Sequence, residues 1–490
     1  MKNNRIFTRE QVDRLLGAVR GLTLGEADSK GLIAKAHAAN PNKVQKGIAG
    51  DVIEVSVLGC DRDSKQEPDI LVDNIKTELK TTGVRLSKKK SFEAKEPLAI
   101  THVSPAKIKY EVFEDSNFLH KIEHLLFVFY HYTLSSSARN SLDYKDFPIL
   151  GHLFWQVPEK DREILKNDWT LVKEFASRYP FSDELHRHEM KKDLMLLDYA
   201  SPTQPRFRFK KPYVTTIVST FLDRSQLEVL PQPINKFSDF DSKCHEFTTL
   251  YRGKSLSEIG RSLGLSIGRD KDSCQRIIVK MFGGKANSIN KIRDFQEIGL
   301  AAKTIILTSE GKRTEDMKLF QIDFDEFFNP DITFREEPQE EMSLFSPSRD
   351  YSKIYSYFAE QSFVFIVFRE PRKPLKQPDG EYEKIPLKEC IFEGFKRYSF
   401  KEEFIDNEVE RCWEDARTLV FNHSLQEINN APSFPKSSGY MVFFRGSGST
   451  SKDRKPRLKD SWDIDIPMYL QNIWVKGKYI VDELARIDYL

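Results

Sequence analysis

The chain has 490 residues, and its 76 lysines and arginines nearly balance 74 acidic residues, for a formal charge of +2. That length allows about two to four domains with their own cores, and the near-neutral total leaves any polyanion binding to the local distribution of charge. The five cysteines (Cys60, Cys244, Cys274, Cys390, Cys412) form no CxxC pair and no zinc spacing. This excludes a disulfide framework and a zinc cluster, and points to a reducing compartment. The opening MKNNRIFTREQ has no apolar core of the signal-peptide kind, and no run approaches about 18 consecutive apolar residues. A soluble, cytoplasmic protein is expected.

Thr8 to Val19 predicts a helix, capped by Thr8 and striped with Val12, Leu15, Leu16 and Val19. After a stretch punctuated by Gly, Asn and Pro comes KGIAGDVIEVSVLG, residues 46–59. Its Ile48, Val52 and Val55 lie at helical spacing, and Glu54 falls off that stripe.

Next comes PDILVDNIKTELK, residues 68–80, and the chain is organised around it. The run from Ile75 favours a strand, in which Glu78 and Lys80 share a face because side chains alternate with period two. Asp73-Asn74 reads as a turn that folds the chain back, carrying Asp69 toward Glu78. Two carboxylates meeting there suit Mg²⁺, which takes one or two protein carboxylates and keeps several waters. An adjacent amine can hold a water and offset charge on a phosphate, so the set fits metal-assisted phosphodiester hydrolysis. Lys88-Lys89-Lys90 follows the strand directly and is a candidate contact for backbone phosphate.

KG-x2-G-x3-E-x3-LG, then PD, then a strand with ELKT resembles the MutH family of mismatch-repair nicking endonucleases and related type II restriction enzymes acting at GATC. The resemblance implies catalytic roles for Glu54, Asp69, Glu78 and Lys80, with Asp69 and Glu78 as metal ligands. SNFLHKIEHLLFVFY, residues 116–130, is similar to a family segment in which an HK pair leads into an apolar strand, which implies a functional role for Lys121. LFWQVPEKDREILKNDWTLVKEF (153–175) resembles the family's W-x-P followed by an acidic helix, with Trp155 and Trp169 expected in the core. In PRFRFKKPYVTTIVSTFL (205–222), Arg206, Arg208, Lys210 and Lys211 interleave with aromatics, so that alternate strand residues present cations on one face, and all four are expected to bind DNA. Arg208 stands where the family has a tyrosine that reads adenine, and an arginine there can pair with guanine or hold a phosphate.

The second half reads as a degenerate copy. AAKT at 301–304 answers ELKT, VFIVFR at 364–369 answers LLFVFY at 125–130, CW at 412–413 answers DW, and IWVKGKY at 473–479 answers FRFKKPY. Ala301 replaces Glu78 and Glu360 stands for Lys121, so this half is expected to bind but not to cut, with Lys476 and Lys478 facing an effector DNA. The expected fold is α/β: two tandem restriction-endonuclease-like domains, each a mixed sheet flanked by helices. The expected boundaries are 1–225 catalytic, 226–250 linker and 251–490 inactive. This layout implies a Mg²⁺-dependent type II endonuclease cutting both strands of double-stranded DNA at a short palindrome. The implied partners are a second copy of the chain and a protecting methyltransferase. The alternatives are a strand-nicking repair endonuclease and a non-catalytic DNA-binding regulator.

Overall fold

The computed structural model describes the chain except residues 1–4, 42–43, 46, 62–68, 88–89, 135–137, 139, 200–204, 225, 269–271, 313–314, 323, 325–326, 328–351, 379, 422–433, 449, 451–452, 454 and 460–464. The described residues divide into two compact units, one up to Gln226 and the other from Leu227 onward.

The sheet of the first unit runs β1 (Ile6–Phe7), β2 (Ile70–Val72), β3 (Ile75–Leu86), β6 (His124–His131), β7 (Ile149–Gln156), with β4 (Phe92–Ala94) on β3. Asp73 and Asn74 make the turn between β2 and β3, with φ of 47° and 66°. Two successive positive φ values suit the short connection whose twist matches a hairpin, and Asx residues tolerate them better than most. β3 then pairs parallel with β6, and β6 antiparallel with β7, so the sheet is mixed. Residues 125–130 of β6 are all buried, as a central strand covered on both faces requires. β5 (Leu98–His102) lies in a second sheet, ordered β5, β9 (Arg206–Phe209), β8 (Leu197–Tyr199).

Thr8 caps the helix Arg9–Ala18 through a reciprocal capping box with Gln11. The helix Glu159–Arg178 buries Trp169, as expected, and also Asp168. That carboxylate accepts the backbone N–H groups of Met195, Leu196 and Leu197, tying the run into β8 to the helix. Trp155 is only partly buried, edge-on to Phe127, Phe209 and Tyr213.

The second unit repeats this plan. β10 (Leu300–Leu307) pairs parallel with β12 (Ser362–Arg369), and β12 antiparallel with β13 (Ile391–Tyr398). β11 (Met317–Gln321), β17 (Leu470–Val475) and β14 (Val442–Ser447) form a second sheet, and β15 (Lys455–Lys459) pairs with β16 (Asp465–Met468). β9 is followed by the helix Lys211–Leu222 and β17 by the helix Gly477–Leu484, with Lys210 and Lys476 as the respective N-caps. Trp155 packs on Tyr213 in the first unit, and Tyr398 bonds Tyr479 at the matching place in the second.

Three expectations change. The stretch 226–250 is no linker: Phe237–Tyr251 is a helix whose Phe237, Phe240, Cys244 and Phe247 are buried, and Phe247 packs on Phe392 and Phe395 of β13. Prolines 231 and 233 mark only the approach to it. The copy is offset by one residue in β12, because Glu78 pairs with Leu125 whereas Ala301 pairs with Phe363. Carried back from that ladder, the position of Lys121 falls on Ala359 rather than Glu360, and no amine stands there on either count. Finally, the strand expected to carry Lys210 and Lys211 stops at Phe209, because the helix starts at Lys211 with Pro212 in its first turn.

Phe240 is fully buried, stacked on Phe282 with centroids 5.3 Å apart and edge-on to Phe295. Phe240→Ala is expected to cost about 3–5 kcal/mol in chemical denaturation, as for other buried Phe→Ala changes. A loss below about 1 kcal/mol would return this stretch to the status of a linker.

Candidate active site

The two-residue turn fixes the register Ile70↔Thr77, so the next pair outward is Asp69 and Glu78. The eight-residue spacing between these carboxylates is therefore the length of a hairpin, and opposite residues of an antiparallel pair are close. Asp69 Oδ2 accepts the backbone N–H of Leu79 at 2.8 Å, which fixes its carboxyl against β3. Glu78 is 3% exposed, and its Oε1 accepts Lys80 Nζ at 3.0 Å and Lys121 Nζ at 2.8 Å. Lys80 reaches it as the i+2 neighbour on the same face. Lys121 comes from the last turn of the helix Asn117–Ile122, which leads directly into β6. The strand partnership of β3 and β6 thus brings together three groups that lie up to 43 residues apart.

Glu54 is held separately. The helix that opens at Gly47, in the left-handed conformation with φ 82°, runs as a normal turn over Ile48–Asp51 and then widens to a π-helix over Val52–Val57. Such widened turns are rare and often found at functional sites. Glu54 lies in it and accepts Arg5 at 2.6 Å. Arg5, almost fully buried, also donates to the carbonyl of Asp69 at 2.6 Å and to that of Asp61. Nothing near Arg5 in the sequence signals this role.

The expected DNA-binding residues divide. Arg206 and Arg208 share the more open face of β9, alternating with buried Phe207 and Phe209 as the period requires. Arg208 is nevertheless ion-paired with Asp198 of β8, and only 13% of its side chain is exposed. Lys210 is 5% exposed and its ammonium donates to the Leu194 carbonyl at 2.6 Å, so it anchors the fold and does not face solvent. Lys211 is half-buried in the first turn of its helix, and Lys90 is exposed in the loop after β3. Lys88 and Lys89 lie outside the described residues. In the second unit Lys476 is half-buried and Lys478 exposed.

Burial and the neighbouring Glu78 charge push the Asp69 carboxyl up to about 6, opposed by the Leu79 N–H and by Lys80. The second oxygen of Glu78, Oε2, is buried without a hydrogen-bond partner. A carboxylate pair of this kind, one member strained in its charged state and the other with an unsatisfied oxygen, fits a hard divalent cation that completes its shell with water. Among the described residues no three carboxylate, histidine or cysteine side chains converge closely enough to form a full protein cage. That suits a two-carboxylate site and leaves Glu54 with Arg5.

The second unit keeps Lys303 at the place of Lys80, but its ammonium donates to the carbonyls of Lys318 and Leu319 on β11, and burial lowers its pKa to about 8. Of the acidic residues just before its strand, Asp294 is buried and accepts the Leu230 N–H, and Glu297 is buried and paired with Arg293.

A carboxylate set opposite an E-x-K strand, on a mixed sheet with a second lysine from the next crossover, is an arrangement suited to metal-assisted phosphodiester hydrolysis. Comparison with known proteins agrees. Residues 58–168 match the family model described as the DNA mismatch repair enzyme MutH, a span holding Asp69, Glu78, Lys80 and Lys121. The type II restriction enzyme Sau3AI of Staphylococcus aureus is 23% identical over 403 residues, 76% of this chain and 74% of that protein. The DNA mismatch repair protein MutH of Shewanella woodyi is 31% identical over 161 residues, 32% of this chain and 61% of that protein. A MutH-like domain is therefore present, and over most of its length the chain resembles a type II restriction enzyme, so both lines of similarity lead to nucleases. No helix among its described residues is long and apolar enough to cross a membrane.

The raised pKa of Asp69 has a stability consequence. An acid that ordinarily titrates near 3.8 and titrates near 6 in the fold destabilises the metal-free protein above pH 6, and that penalty fades as pH falls toward 4. Asp69→Asn keeps an acceptor for the Leu79 N–H and is expected to raise the thermal midpoint of the metal-free chain at pH 8, by at most about 3 kcal/mol of stability. The gain should disappear below about pH 4. A variant less stable than wild type at pH 8 would show that the carboxylate is comfortable in its charged form.

Proposed function

We propose that the protein is a type II restriction endonuclease that makes Mg²⁺-dependent double-strand cuts in DNA at a short palindrome, with GATC as the expected site. The observation that carries this reading is the buried Glu78 carboxylate, opposite Asp69 and bonded to both Lys80 and Lys121. Asp69 and Glu78 would hold the ion, and Glu54 would steady the waters around it. When bound, a Mg²⁺ ion supplies Lewis-acid polarisation of the phosphate and a more acidic water.

The lysines have two duties in sequence. Before substrate arrives they neutralise Glu78, which makes a buried carboxylate tolerable. With DNA in place their ammonium groups turn to the scissile phosphate and the attacking water, where they orient the nucleophile and offset charge gathering on the phosphoryl oxygens. Attack on phosphorus with departure of the 3′ oxygen leaves 5′-phosphate and 3′-hydroxyl ends. Arg206, Lys211 and Lys90, with Lys88 and Lys89, would hold backbone phosphates. Arg208 is pinned by Asp198, and such a fixed fork suits recognition of a base edge better than a mobile phosphate contact.

The alternative of a single-unit repair nickase fits less well, because the similarity to Sau3AI extends well beyond the length of the first unit. Cutting both strands of a symmetric site with one catalytic unit needs a second chain or a second encounter. We assign the second unit to binding another copy of the site, with Lys476 and Lys478 at the phosphate, and so to favouring a DNA-induced dimer. In the cell a methyltransferase of the same specificity would protect the host DNA.

Glu78→Ala is expected to abolish cleavage of a plasmid carrying the site. DNA binding without metal should be kept or slightly tightened, since Lys80 and Lys121 lose their carboxylate and phosphate contacts dominate affinity. Near-normal cutting by the purified variant would remove Glu78 from the chemistry.

A plasmid with two sites should be cut several-fold faster than one with a single site, and a short duplex bearing the site should stimulate single-site cutting. An effector can act this way only by binding the competent state more tightly. Lys476→Ala/Lys478→Ala should lose the stimulation and keep basal cleavage. Equal rates on both plasmids, unmoved by added duplex, would leave the second unit as a scaffold.

A further inference from the structure

Arg5 joins three chain segments that converge on the active site and belong to no common element. Its guanidinium bonds the Glu54 carboxylate of the π-helix at 2.6 Å, the Asp69 carbonyl at the mouth of the hairpin at 2.6 Å, and the Asp61 carbonyl at the end of the run that follows the helix. It is 4% exposed, and stands directly before β1, which pairs with β2 through Ile6↔Leu71 and Phe7↔Val72. One residue therefore fastens the backbone on both flanks of the 62–68 segment and fixes the carboxylate of the helix against them.

We infer that Arg5 is a positioning residue for the divalent-cation site: it sets the separation and orientation of Asp69 and Glu54 about Glu78, and so sets how tightly the site binds metal. The inference rests on the metal-nuclease reading given above. The chemistry favours arginine specifically. A planar guanidinium has five N–H donors in a fixed fork and can serve a carboxylate and two carbonyls at once, whereas a lysine carries the same charge as a single flexible point. Charge alone would lower metal affinity, since a cation beside the site repels another, so the benefit of Arg5 must come from geometry. In the metal-free protein the site holds three carboxylates (Glu54, Asp69, Glu78) against three cations (Arg5, Lys80, Lys121). The two lysines are free to leave for substrate because each makes a single bond to Glu78 on a flexible stem. Arg5 is held at three points and stays.

Arg5→Lys separates the two roles, because it keeps the charge and the pairing with Glu54 but cannot span both carbonyls. Mn²⁺ binding to the full-length protein, read from the loss of the free-ion electron paramagnetic resonance signal, should weaken about tenfold or more. The Mg²⁺ midpoint for cleavage should rise in parallel, with the rate at saturating Mg²⁺ nearer to wild type. A variant that is folded by circular dichroism and binds Mn²⁺ as tightly as wild type would reduce Arg5 to a structural prop and overturn the inference. If Arg5→Lys does not fold, wild-type protein gives the test through hydrogen exchange. Adding Mn²⁺ should slow exchange at residues 5–7 and 58–61 as well as at 69–80, since coupling between sites is reciprocal. Protection confined to 69–80 would count against it. Wild-type protein that takes up no Mn²⁺ would instead reject the metal site itself, and Glu78→Ala is the control that should bind none.

Discussion

A buried carboxylate must find positive charge, and in this protein Glu78 finds it twice on one oxygen. Lys80 is supplied by the pleat of the same strand and Lys121 by the helix that feeds the neighbouring parallel strand. Strand pleat and helix end thus converge on one contact that compensates the buried charge, with either lysine alone enough to balance it. The remaining oxygen of Glu78 has no partner, and the facing Asp69 is strained in its charged state. The lysines thus satisfy half of the carboxylate pair's needs and leave the other half open to a hard cation. Both cations crowd one oxygen of Glu78 and leave the other buried without a hydrogen-bond partner.

How far this could be read from the sequence depends on the range of the interaction. The hairpin was legible because its causes are local: Asp73-Asn74 for a turn with two positive φ values, and period-two alternation for Glu78 and Lys80. Lys121 came only through the family resemblance, since a lysine at a helix end has no pattern of its own. Arg5 was not legible at all. Its partners lie 49, 56 and 64 residues away, and only tertiary pairing of β1 with β2 brings it to them.

Two misreadings share one physical cause, the extension of a local pattern past the element that justifies it. The alternation of cations and aromatics holds over Arg206–Phe209 and fails at Lys210, where the strand turns into a helix and the long apolar stem of the lysine is drawn inward to a backbone carbonyl. The prolines at 231 and 233 suggested a linker through residue 250. Phe237, Phe240, Cys244, Phe247 and Tyr251 nevertheless repeat at three- and four-residue intervals, the mark of a helix burying one face.

The second unit departs from the first by more than the side chains at Ala301 and Ala359. Among its described residues no strand precedes β10, which begins at Leu300 just after the helix Arg293–Glu297. Among the described residues the β2–β3 hairpin, which sets an aspartate opposite the strand in the first unit, therefore has no counterpart here. A glutamate restored at position 301 would face no second carboxylate and no lysine from the preceding helix. Lys303 instead donates to the β11 backbone, and burial lowers its pKa. What the second unit keeps is the β10–β12–β13 sheet and the β17-to-helix junction that matches β9 and its helix. In the first unit β9 carries Arg206 and Arg208, whereas the matching positions on β17 are Asn472 and Trp474. What persists is therefore the sheet scaffold and the strand-to-helix junction, with Lys476 at the N-cap where Lys210 stands in the first unit, and not the paired arginines of β9.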